Sequence, residues 1–156
     1  MMSIRIAITK KNETLRAEED LYRYLMLLER DAVDAALFVR DTELFRDPIA
    51  AELLAALGVE TEQCTAETKL ILIRHGGESA AVLDRLPQPG ETLETAAGTL
   101  GGGEDLALDG VCLASPAEGD DLCVSVLRGG EQIDCARFRY TFDASRGVVS
   151  QYGVSR

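Results

Sequence analysis

The sequence predicts an α/β or α+β protein. A β-α-β-α-β half with a parallel sheet covers residues 1–86, and an antiparallel β-meander covers 105–156. Three observations predict this. Apolar runs of strand length alternate with amphipathic helical stretches as far as residue 86, the order used by parallel sheets with right-handed crossovers. A segment rich in Gly and Pro, residues 87–104, then changes the texture and reads as a loop. Beyond it, four strand-like runs are separated by short turn-rich segments. At 156 residues the chain has the length of one domain, and the three parts are read as one. A ferredoxin-like split arrangement fits the first half almost as well.

The elements follow in order. Ile4-Arg5-Ile6-Ala7-Ile8 is a β-branched run and a first strand. Asn12 or Thr14 caps a helix running to Arg30, with Ala17, Leu21, Tyr24, Leu25 and Leu28 on one face. Residues 35–39, Ala-Ala-Leu-Phe-Val, are nearly all apolar, as in a central strand covered on both faces. Asp47-Pro48 sets a cap residue before Pro at the first helical position, and Gly58 closes that helix. Residues 69–74 make the third strand, and 78–86 a short helix ended by Pro87. In the second half, residues 106–114, 122–127, 133–142 and 148–154 are the meander strands. The alternation is clearest in Arg137-Phe138-Arg139-Tyr140-Thr141-Phe142.

Charge narrows the function. With 27 acidic and 16 basic residues the net charge is −11. Such a surface repels phosphate backbones and anionic bilayers, so neither nucleic acid nor membrane is expected as a partner. It suits a protein partner or a homo-oligomer. No apolar run approaches the length of a membrane span. The opening MMSIRIAITKK is too short and interrupted for a signal-peptide core, which predicts a cytoplasmic location. Cys64, Cys112, Cys123 and Cys135 form no Cys-x-x-Cys pair. With a single His they do not spell a zinc set, and no metal or cofactor is expected.

Local motifs are short. Ile71-Leu72-Ile73-Arg74-His75-Gly76-Gly77-Glu78-Ser79 resembles the histidine-phosphatase signature, in which a strand ends in Arg-His-Gly before a Glu-Ser pair. The resemblance would make His75 a phosphoryl acceptor and Arg74 a phosphate ligand. Gly77 is an insertion, the motif lies mid-chain, and the family's second catalytic His has no counterpart. Leu86-Pro87-Gln88-Pro89-Gly90-Glu91-Thr92-Leu93 resembles the lid of ribokinase-type sugar kinases, without their downstream glycine and Asp motif. Neither assigns a family, and no complete catalytic set is present.

One constellation is geometric. Ligands of open parallel sheets bind beyond the carboxyl ends of the strands. The three predicted strands end in Lys10-Lys11, in Arg40 and in Arg74-His75-Gly76. If parallel, they would gather these residues into an anion pocket beside helix N-termini. Two functions are therefore expected. The first is a non-catalytic binding or regulatory protein acting through a protein partner or self-association. The second is a small enzyme or sensor that binds a phosphorylated or carboxylated metabolite at Lys10, Lys11, Arg40, Arg74, His75 and Gly76.

Overall fold

The computed structural model describes residues 13–156. The predicted strand at 4–8 and the bases Lys10 and Lys11 lie outside the described residues. Residues 13–17 are helical, and the chain breaks at 18–20 before α1, Leu21–Arg30. Asp20 makes the break, because its carboxylate accepts the Arg23 N–H as an N-cap. The pattern of apolar residues predicts a single helix running from a cap at Asn12 or Thr14 to Arg30. The acids at its head form the cap between two helical pieces instead. Tyr24, Leu25 and Leu28 of α1 are fully buried.

β1, Asp34–Val39, follows α1 through a tight link. A 3-10 turn, Thr42–Arg46, leads to α2, Pro48–Ala56. Asp47 caps α2 at the Ile49 N–H, Pro stands at its first position, and Gly58 follows with φ of +81°. This is the helix the Asp-Pro…Gly pattern specifies. β2, Leu70–Arg74, then pairs with β3, Ser79–Leu83. A short hairpin comes next, β4 (Thr92–Thr95) and β5 (Gly98–Gly101). β6 (Ala107–Leu108) and β7 (Val111–Cys112) are two residues each. The long strands β8 (Leu122–Arg128), β9 (Glu131–Asp143) and β10 (Val148–Ser155) complete the chain.

Two sheets result. The larger has the order β10-β9-β8-β1-β2-β3, and the smaller β4-β5-β6-β7. Every pairing among the described residues is antiparallel. This overturns the parallel β-α-β-α-β half. β1 and β2 run in opposite directions although a helix joins them, with Ala35 opposite Ile73 and Phe38 opposite Leu70.

The physical reason lies in what covers β1. A continuous apolar run reports burial on both faces and says nothing about strand direction. Ala35, Leu37 and Val39 pack with the helices, together with Ile71, Ile73, Val124 and Phe138. Ala36 and Phe38 pack on the other face against Leu100, Leu108 and Leu113 of the small sheet and its flank. The second face is thus closed by a sheet where a parallel fold would use crossover helices.

Two further expectations change. The segment 78–86 holds the strand β3, Ser79–Leu83, and no helix, because the Arg74–Glu78 turn sends the chain straight back along β2. The Gly77 and Glu78 N–H groups both donate to the Arg74 carbonyl, at 3.1 and 2.9 Å. Residues 92–101, inside the segment read as a loop, form the β4–β5 hairpin. Its glycines turn and end short strands.

Candidate functional site

Antiparallel pairing disperses the predicted pocket. With Ala35 opposite Ile73, Arg74 falls beside Asp34 at the start of β1, whereas Arg40 follows its end. Six strand residues separate those ends, about 20 Å. Arg74 donates through Nη1 to Asp109 Oδ2 at 2.5 Å and to the Ala97 carbonyl at 3.1 Å, so it ties the main sheet to the small one. His75 is mostly exposed at φ of +49°, its N–H donating to Asp34 Oδ1 at 2.8 Å, with Nδ1 3.7 Å from the same oxygen. The Gly76 N–H is used by the Val33 carbonyl at 2.9 Å. A Cβ at Gly76 would lie 2.8 Å from the Ala32 Cα and 2.9 Å from the Glu29 carbonyl. Gly76 therefore allows the hairpin to pack against the end of α1, and its N–H does not point to a ligand.

Arg40 does join a cluster, at the other end of the sheet. Its Nη1 donates to the Ala117 carbonyl at 3.1 Å. The loop between β7 and β8 holds two more guanidiniums. Arg139 Nη2 donates to the Glu118 carbonyl at 3.3 Å, and Arg137 Nη2 lies 3.5 Å from the Ser115 carbonyl. Arg137 and Arg139 are two residues apart on β9, so they project from one face. The intervening Phe138 is fully buried among the helices.

Both arginines lean on one carboxylate. Arg137 Nε is 3.4 Å from Asp120 Oδ2, and Arg139 Nε is 3.8 Å from Asp120 Oδ1. Asp120 is almost wholly buried and accepts the Ala117 N–H at 2.7 Å. Two guanidiniums thus share one buried carboxylate within a protein of net −11. Arg137 Nε is also buried without a hydrogen bond among the described residues. Buried donors of this kind are uncommon in folded chains.

A hollow of about 330 Å³ opens beside them, lined by Arg137, Arg139, Tyr152, Gly153, Val154 and Ser155. β10 supplies its other wall. Gly153 is opposite Arg139 and Ser155 opposite Arg137, with a bulge between Gln151 and Gly153. Among the described residues no atom lies within 4 Å of where a Gly153 Cβ would stand, so the space above that strand is open. The bulge leaves Tyr152 the most exposed large hydrophobic residue among those described, at 72%. Guanidiniums, a hydroxyl and an accessible aromatic ring can take an anion and stack a planar group beside it.

In the sequence, Arg137 and Arg139 serve only as evidence of a strand. A further signal was available, since basic residues at i and i+2 around a buried aromatic must share the opposite face. Among the described residues, no group of three His, Cys, Asp or Glu side chains is placed to hold a metal ion, and no helix is long and apolar enough to cross a membrane. No protein-family model, curated protein or solved structure matches the chain.

Proposed function

We propose that this is a non-catalytic binding protein that senses a small molecule bearing a phosphate or carboxylate, held in the β9–β10 hollow. The observation that carries the reading is the pair Arg137 and Arg139 sharing the single buried carboxylate of Asp120 beside an open cavity. Arg139 supplies the accessible guanidinium and Arg137 the buried one. Tyr152 offers a face for a planar body attached to the anion. The guanidiniums, phenol and hydroxyl that line the hollow suit binding and orienting a ligand.

The test is a titration with inorganic phosphate and then succinate, followed by the guanidinium Nε–H signals in NMR. Saturable shifts at Arg137 and Arg139 that chloride does not reproduce, and that Arg139→Gln abolishes, support the proposal. Shifts spread evenly over all arginines, or unchanged in Arg139→Gln, overturn it.

A second reading, self-association, is favoured by β3. Ser79–Leu83 carry no charge, and among the described residues no strand lies beyond β3 in the sheet. Uncharged edges without Pro are the ones that pair with another chain. A second copy meeting β3 antiparallel would give a closed two-fold dimer. Sedimentation that finds a monomer at every concentration overturns this reading and leaves the ligand proposal standing.

A further inference from the structure

A pair of thiols lies next to the hollow. Cys123 of β8 and Cys135 of β9 are diagonal neighbours, since Cys123 is opposite Arg137 and Ser125 opposite Cys135. Their Sγ atoms are 3.9 Å apart. The two sulfurs differ in environment. Cys123 is fully buried, and its Sγ also lies 3.8 Å from the Ala114 carbonyl. Cys135 is half-buried and lines an open hollow of about 580 Å³ with Asp134 and Arg156.

We propose that Cys135 and Cys123 form a peroxide-responsive pair, with Cys135 as the attacking thiolate and Cys123 as the resolving thiol of an intramolecular disulfide. In the first step the Cys135 thiolate attacks hydrogen peroxide. A sulfur–oxygen bond forms, the oxygen–oxygen bond breaks, and hydroxide leaves. Cys135 is then a sulfenic acid, oxidised by two electrons, and the peroxide is reduced. In the second step the Cys123 sulfur attacks Cys135. The sulfur–sulfur bond forms, the sulfur–oxygen bond breaks, and water leaves with the Cys123 proton. From 3.9 Å, reaching a bond of about 2.0 Å requires each sulfur to move by roughly 0.9 Å.

The assignment of roles has a chemical basis. The Cys123 S–H stabilises the Cys135 thiolate, and the Arg137 charge adds to this. Together they hold the Cys135 thiol below the ordinary thiol range. Cys123 is pushed up by that same pairing and by burial. Cys64, away from the pair, is pushed up to about 11 by burial. The thiolate is the reactive form, so the three sites separate in reactivity.

The experiment uses the full chain with Cys64→Ser and Cys112→Ser, leaving only this pair. Hydrogen peroxide is added, and peptides are mapped without reductant. A Cys123–Cys135 cross-link that dithiothreitol reverses is expected. In the same background Cys123→Ala should trap sulfenic acid at Cys135, read as a dimedone adduct. Peroxide treatment that leaves both thiols free for alkylation overturns the proposal. So does dimedone labelling of Cys123 ahead of Cys135 in a short pulse on the protein that keeps both thiols. That pulse measurement decides the matter even if the buried Cys123 does not tolerate Ala. In the wild-type chain, iodoacetamide should modify Cys135 about tenfold faster than Cys64 near neutral pH. Equal rates count against the assigned roles.

Discussion

The Tyr22 phenol donates to the Asp47 carboxylate, which joins α1 to the cap of α2. The same carboxylate accepts the Ile49 N–H at 3.0 Å and the Val149 N–H of β10 at 3.1 Å. Asp47 is fully buried, so one side chain ties both helices to an edge strand. Replacing it by Ala removes a cap and leaves buried donors unpaired. The cap is worth about 1 kcal/mol and each stranded donor about 1–3 kcal/mol. Asp47→Ala should therefore lower the unfolding free energy by about 3 kcal/mol in urea. Tyr22→Phe should lower it by about 1 kcal/mol, since Asp47 keeps its amide partners. Equal effects would show that the phenol, and not the cap, organises this corner.

Alkali should loosen the same corner. The Tyr22 phenol is pushed up to about 12 by burial and by the adjacent Asp47. Burial also raises Tyr24 and Tyr140. A group whose folded value lies above its unfolded one contributes stability below the unfolded value, near 10, and loses it as pH rises through the folded one. Stability should thus fall from about pH 10 upward. Absorbance of phenolate should show Tyr22, Tyr24 and Tyr140 ionising only above the ordinary phenol range. Ionisation of these three phenols at about 10 in the folded protein would contradict these contacts.

How much of this was legible in the sequence depends on what kind of signal each residue gave. Asp47-Pro48 and Gly58 marked α2 through the local chemistry of a cap and a stop, which needs no partner. β8, β9 and β10 fall where alternation and turns mark them. Strand direction was not legible, because Leu37 and Phe38 are buried whichever way the neighbours run. Their opposite faces meet helices and a second sheet, respectively. The expected anion pocket depended on that direction, and antiparallel pairing separates Arg40 from Arg74. Arg40 instead reaches the loop that also holds Arg137 and Arg139. The Asp120 that positions the latter two comes from a turn, where sequence gives no register.

Gly76 tests whether the β2–β3 turn is a packing device. Its φ is +66°, and an added Cβ would meet the Ala32 Cα at 2.8 Å. Gly90 has φ of +84° with open space around it. Gly90→Ala should cost only the left-handed penalty, about 1 kcal/mol. Gly76→Ala adds a backbone collision and should cost about 3 kcal/mol. Thermal unfolding of the two variants separates the contributions. A Gly76→Ala protein as stable as Gly90→Ala would mean that the hairpin does not rest on the end of α1.

Arg137 and Arg139 should part company in stability. The Arg137 side chain is 24% exposed and the Arg139 side chain 60%, yet both face Asp120. Arg137→Gln leaves a buried carboxylate poorly compensated and should cost about 2 kcal/mol. Arg139→Gln removes only the more exposed and more distant guanidinium, with Arg137 still facing Asp120, and should stay within about 0.5 kcal/mol. Denaturant midpoints measured side by side decide it. If Arg139→Gln is the more damaging, the exposed guanidinium is holding the loop, and its proposed role toward a ligand falls.

Acid should detach the small sheet before the large one. Asp109 stands at φ of +49° in the turn between β6 and β7 and accepts the Thr99 N–H at 2.9 Å as well as Arg74. The Thr99 N–H, followed by the Arg74 guanidinium, holds its carboxyl below the usual carboxylate range. A depressed folded value means that the contribution is present above the unfolded value, about 3.9, and is lost as pH falls through the folded one. Both side chains are more than a third exposed, so the pair is worth under about 1 kcal/mol. A small stabilisation in a small sheet is still visible locally. Amide exchange at Thr99 and Leu100 should quicken below about pH 4 relative to Leu37 and Val124 in the main sheet, after correction for intrinsic rates. Asp109→Asn should give the fast exchange at neutral pH and remove its acid dependence. Uniform loss of protection across both sheets would show that they unfold as one unit, with Arg74–Asp109 contributing nothing of its own.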